Sequence, residues 1–82
     1  MNKKKLLKKI LDGSKNIRFN EFVNLIEGFG FILDRVSGSH HIFKRQDIDE
    51  IINIQNVKGE VKPYQIKQFF SIIEKYNIKL ME

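Results

Sequence analysis

No cysteine occurs anywhere in the chain, so neither disulfide bonds nor thiolate metal sites can hold the fold together. Histidine is nearly as scarce, with His40 and His41 adjacent and no others. Two neighbouring imidazoles without cysteines make no ligand cluster, and no metal or other cofactor is expected. The Asp47, Asp49 and Glu50 group lacks the central glycine of a calcium loop and is assigned to a turn. Long hydrophobic runs are missing as well. After the basic residues up to Lys9 only Ile10-Leu11 precede Asp12-Gly13, whereas a secretory signal needs roughly 7–15 apolar residues. Nothing approaches the roughly 20 that a membrane helix needs. A Cys-free chain rich in Lys, Ile and Asn is expected in the cytoplasm, without a membrane partner.

Acidic residues are the minority, 10 against 15 Lys and Arg, for a net charge of +5. The surplus is local. Residues 1–18 carry Lys3, Lys4, Lys5, Lys8, Lys9, Lys15 and Arg18 against Asp12 alone, so the remainder is close to neutral. A basic segment invites an anionic partner such as nucleic acid, and a solvated helix face explains the same lysines equally well. With 82 residues the chain is expected to be one domain over residues 1–82, burying roughly 60–65% of its unfolded surface. Within it, residues 1–18 form a basic helix and connector and residues 19–82 the core.

Apolar spacing sets out the elements. Leu6, Leu7, Ile10 and Leu11 make one stripe of a helix over residues 3–11, ended by Asp12-Gly13-Ser14. Asn20 is the expected N-cap of a second helix carrying Phe22, Leu25, Ile26 and Phe29, with Gly28 and Gly30 at its end. Residues 31–36 read as a strand, Ser37-Gly38-Ser39 as a turn, and residues 40–45 and 50–55 as two further strands. Pro63 suits the first turn of a last helix with Ile66, Phe69, Phe70, Ile73 and Tyr76 on one side. Helix, helix, three-stranded meander and helix together predict an α+β fold, a three-stranded antiparallel sheet covered by helices on one face.

The stretch from Gly28 to Phe43, with Gly28-Phe29 closing a helix, a strand, then Gly38-Ser39-His40-His41 and Phe43, resembles the HicA toxin family. Val61-Lys62-Pro63-Tyr64-Gln65-Ile66-Lys67 resembles that family's last helix opening. The likeness extends over about residues 19–76. It implies a fold similar to the double-stranded RNA-binding domain, α-β-β-β-α, here with an additional N-terminal helix. It also implies the toxin of a type II toxin–antitoxin system, a ribosome-independent, metal-independent endoribonuclease acting on mRNA and neutralised by a HicB-type antitoxin. Two departures stand out: the helix over residues 3–12 is extra, and Asn56-Val57-Lys58-Gly59-Glu60 replaces the Pro-rich or His-containing stretch of many members.

RNA carries its own nucleophile in the 2′-OH, so cleavage needs a base, an acid and positive groups for the charge on phosphorus. Histidine, with an ordinary pKa near 6.5, can serve at neutral pH. His40 and His41 point to opposite faces of a strand, and alternation does not choose between them. His40 keeps company with Ile42 and Lys44, and His41 with Phe43 and Arg45. The family resemblance favours His40, directly after Gly-Ser, with His41 second. Gly38 permits close approach to a phosphate and Ser39 adds a hydroxyl donor. Lys44, Lys62 and Lys67 are the candidate RNA contacts, the last two at a helix start where N–H groups also attract anions. Phe43 and Tyr64 offer stacking faces, although a strand Phe in so small a domain belongs to the core. Two other functions fit the same elements: a non-catalytic double-stranded-RNA-binding module and a small protein-interaction domain.

Overall fold

The computed structural model describes residues 3–13 and 16–81. Ser14 of the first helix's closing turn and Lys15 of the basic segment lie outside the described residues. The order is α1 (Lys3–Leu11), α2 (Phe19–Gly28), β1 (Ile32–Ser37), β2 (His40–Lys44), β3 (Ile52–Gln55) and α3 (Pro63–Lys75). This is the expected α+β arrangement, α-β-β-β-α behind an N-terminal helix. No helix among the described residues is long and apolar enough to cross a membrane.

α1 meets the core through Leu6, with Leu7 and Ile10 packed at its margin. Leu11 does not join them; it is 71% exposed, because one further step of 100° around the helix carries it off the stripe. α2 also begins differently from expectation. Arg18, not Asn20, occupies the N-cap, in extended conformation. The cap is tertiary: the Phe19 N–H donates to the Gly59 carbonyl at 2.8 Å, and the Val61 N–H to that of Ile17 at 3.1 Å. Glu21 adds a local contact, accepting the Arg18 N–H at 3.4 Å. The segment expected to be a plain polar loop is therefore a tight turn from Val57 to Glu60, paired at both ends and bridged to Arg18.

The end of α2 explains its glycines. Gly30 N–H donates to Glu27 at 2.9 Å and Phe31 N–H to Ile26 at 3.3 Å, with Gly30 at φ +89°. That is a Schellman closure, which needs a left-handed residue. The Arg45 guanidinium binds the Phe29 carbonyl at the same end, where the helix dipole favours a cation. α3 closes in the same way with Asn77 at φ +52°.

The three strands are antiparallel in the order β1-β2-β3. Phe43 pairs with Leu33 and Ile52, His41 with Val36 and Ile54, and His40 with Ser37 and Gln55. A bulge at Asp34 separates the Leu33 and Arg35 pairs. Paired residues share a face, so Phe43, Ile52 and Ile54 look toward the helices and His40, Ile42, Lys44, Asn53 and Gln55 look away. The inner face meets a phenylalanine cluster centred on Phe69, whose ring lies 5.3 Å from Phe22, 5.6 Å from Phe29, 5.8 Å from Phe31 and 5.2 Å from Phe70. These are edge-on contacts, the arrangement ring quadrupoles favour. Phe43 is 1% exposed, which removes it as a base-stacking candidate. The helical layer stops short of β1, all six residues of which are exposed.

Candidate active site

The site starts from a two-residue turn. Ser37 pairs with His40, leaving Gly38-Ser39 as the loop, and Gly38 has φ +60°. A positive φ at the first of two central residues is what a type II′ hairpin turn requires, and glycine takes it without strain. Beyond its two chain neighbours, no atom comes within 4 Å of where a Cβ on Gly38 would stand, so the tip is open.

Side chains from β3 and α3 brace this tip. Gln55 Nε2 donates to Ser39 Oγ at 3.0 Å, and the Asn56 N–H donates to the Ser39 carbonyl at 3.1 Å. The Gln55 N–H in turn donates to Gln65 Oε1 at 3.1 Å. Gln65 is 5% exposed, and this bond satisfies both its amide oxygen and the last N–H of β3. Hairpin tip, β3 and first turn of α3 are thereby one connected unit.

The two histidines separate as strand geometry demands. His41 lies on the inner face, half-buried, its ring 4.6 Å from that of Phe19 and edge-on to it, with Nδ1 at 3.3 Å from the Ser39 carbonyl. His40 stands exposed on the outer face with Nδ1 at 3.1 Å from Asn53 Oδ1. Ile42, beside it on β2, is buried between the flanking strands and gives this open face an apolar floor.

The other sequence candidates do not all gather here. Gly38 and Ser39 adjoin His40. Lys44 shares its face but lies four residues along the strand, about 13 Å away, and pairs with Asp34 at 3.6 Å. Lys62 is the exposed N-cap of α3, beside Val57 and Glu60. The helix start offers little backbone for an anion: Pro63 has no N–H, and those of Gln65 and Ile66 bond the Lys62 carbonyl at 3.0 and 3.3 Å. Lys67 opens onto the groove between α1 and α3, beside Ile10, Leu11 and Phe70. Tyr64 is exposed.

Three residues of the site escaped the sequence: Asn53, Gln55 and Gln65. The alternation Ile52-Asn53-Ile54-Gln55 does mark Asn53 and Gln55 as sharing a face, but only the register brings that face to His40.

Two charged clusters lie outside this site. Glu50 accepts hydrogen bonds from Lys75 Nζ at 2.9 Å and Tyr76 Oη at 2.7 Å. The Lys75 bond and then the Tyr76 bond hold its carboxyl below the usual value, and the same carboxylate raises Lys75. Asp47 is lowered by its bond from Arg45. Among the described residues no three His, Cys, Asp or Glu side chains come together as a metal site would require.

A family model described as the HicA toxin of bacterial toxin–antitoxin matches residues 19–76 of the chain. No curated protein and no solved structure matches it.

Proposed function

The chain belongs to the HicA toxin family of bacterial toxin–antitoxin systems, which implies an antitoxin partner, and on that premise we propose that it cleaves mRNA in the cytoplasm, without a metal, using His40. The observation that carries this is the division between the two imidazoles. His40 is exposed on the open sheet face next to the Gly38-Ser39 tip, while His41 is turned under the sheet against Phe19.

RNA lying on the outer face would bring a 2′-OH to His40, which takes its proton as the oxygen attacks the adjacent phosphorus. The O2′–P bond forms, the P–O5′ bond breaks, and the departing 5′-oxygen receives a proton. The products are a 2′,3′-cyclic phosphate and a 5′-hydroxyl. One positioned base contributes roughly 10²–10⁴-fold, and fixed donors near phosphorus contribute through electrostatics. Ser39 and the backbone around Gly38 are close enough to serve, whereas Lys44 and Lys62 suit the neighbouring phosphates. Lys67, on the α1–α3 groove, contacts RNA only if the strand wraps around the domain. A HicB-type antitoxin would silence the enzyme by covering the same face.

Total RNA incubated with the purified toxin and EDTA tests the proposal. Cleavage that persists in chelator and leaves 2′,3′-cyclic phosphate ends supports it. A strict need for a divalent ion, or 5′-phosphate products, points to attack by water instead.

A further inference from the structure

We propose that Asn53 is a positioning residue that fixes the tautomer of His40, making Nε2 the proton-accepting atom. The proposal rests on the assignment of His40 as the base. Asn53 lies on β3 opposite Ile42 and diagonal to His40, two residues along from Gln55, a separation that longer side chains span on one sheet face. Its Oδ1 is 3.1 Å from His40 Nδ1, within hydrogen-bond range. A carboxamide oxygen only accepts, so Nδ1 carries the proton. In the neutral ring the lone pair then falls on Nε2, the nitrogen farther from the backbone and better placed to meet a substrate hydroxyl.

Three features suit this arrangement to the proposed chemistry. Gln55, the direct cross-strand neighbour of His40, is turned to Ser39 Oγ, to which its Nε2 donates. The bond also survives the chemical step, since Nδ1–H goes on donating when Nε2 gains a proton. It then becomes charge-assisted and stronger, so it stabilises the imidazolium as it forms. Turning the amide over would instead place the proton on Nε2 and leave no base facing solvent. The part Asn53 plays is one a second residue commonly plays for a working histidine, holding the tautomer and ring direction through the far nitrogen.

His41 supplies an internal control. Its Nδ1 faces the Ser39 carbonyl at 3.3 Å, another group that only accepts, and Asn53 does not touch it. Nitrogen-15 spectra of the full chain, with labelled histidine in the neutral state, report the two rings separately. The expected result is an Nδ1-protonated His40, which Asn53→Ala converts to the Nε2-protonated form while His41 stays unchanged. In RNA cleavage, Asn53→Ala is expected to lower kcat about threefold to tenfold, the worth of one net hydrogen bond, with little change in KM. Asn53→Asp, which still accepts from Nδ1, is expected to restore both tautomer and most of kcat.

An Nε2-protonated His40 in the wild type, or a tautomer or kcat indifferent to Asn53→Ala, overturns the proposal. If instead His40→Ala cuts RNA at the wild-type rate, the base assignment is what fails, and the spectra still report whether Asn53 sets the tautomer.

Discussion

His40 and His41 share a peptide bond and belong to different halves of the molecule. One faces solvent with its ring against the polar end of Asn53; the other is wedged under the sheet against Phe19. The same division runs through β2 and β3. The sheet's inner face is a packed layer of Phe43, Ile52 and Ile54 over the Phe69 cluster, and its outer face carries Asn53, Gln55, Lys44 and Arg35 around buried Ile42. Identical side chains placed on the two faces therefore meet opposite surroundings: packing under the sheet, and above it the open face where we propose proton transfer.

The strongest blow to that division falls on the inner face. Phe69→Ala removes a ring that touches four other phenylalanines and is expected to cost about 3–5 kcal/mol, enough to unfold much of a domain this small. Thermal denaturation checks it, and a loss below about 1 kcal/mol would mean that the cluster does not hold the helices to the sheet. His41→Ala separates the two histidines more finely. Losing the edge contact to Phe19 and part-buried area is expected to lower stability by about 1–2 kcal/mol while the folded protein keeps the proposed RNA cleavage. A larger loss of cleavage than of stability would exchange the roles of the two rings.

The frame beneath the site can be strengthened. Lys58 sits at φ +53° in the Val57–Glu60 turn, a conformation that asparagine adopts with less strain. Lys58→Asn is expected to raise stability by about 0.5–1 kcal/mol, read as a higher melting temperature with cleavage unaltered. The smallest effect concerns pH. Glu50 is held below its ordinary 4.5 by Lys75 and Tyr76, so its contribution is present above that value and lost as pH falls through the lowered one. Lys75, raised above 10.5 chiefly by Glu50, contributes below that value and loses its contribution as pH rises through the raised one. Melting temperatures of wild type and Glu50→Gln are expected to differ at neutral pH and converge in acid. Lys75 is exposed and Glu50 and Tyr76 are only half-buried, so the difference is modest.

Much of this was legible in the chain itself, because helices and strands announce themselves through local spacing. Leu6 with Ile10, Phe22 with Leu25 and Ile26, and Ile66 with Phe69 mark their helices, and Gly38 marks its turn. Apart from Leu11, the misplaced details depend on distant partners. Asn20 had the chemistry of a cap, but the backbone of residues 59–61 caps α2 instead. Lys62 and Lys67 look alike in sequence, yet only the fold reveals that Lys67 looks toward α1. Choosing between His40 and His41 from alternation was impossible because each had one apolar and one basic companion. What separates them is pairing: Phe43 opposite Ile52 fixes the buried parity of β2, and with it sends His41 inward. Asn53 went unnoticed for the same reason, since its importance lies in a contact across 13 positions of chain.

The claim that the two faces divide packing from chemistry is tested most directly by measuring cleavage and melting temperature together for His40→Ala and His41→Ala. His40→Ala is expected to lose roughly 10²–10⁴-fold in RNA cleavage and, being exposed, to melt within about 0.5 kcal/mol of wild type. His41→Ala is expected to melt earlier and still cut. An active His40→Ala protein, or a well-folded His41→Ala protein that is inactive, would contradict the account.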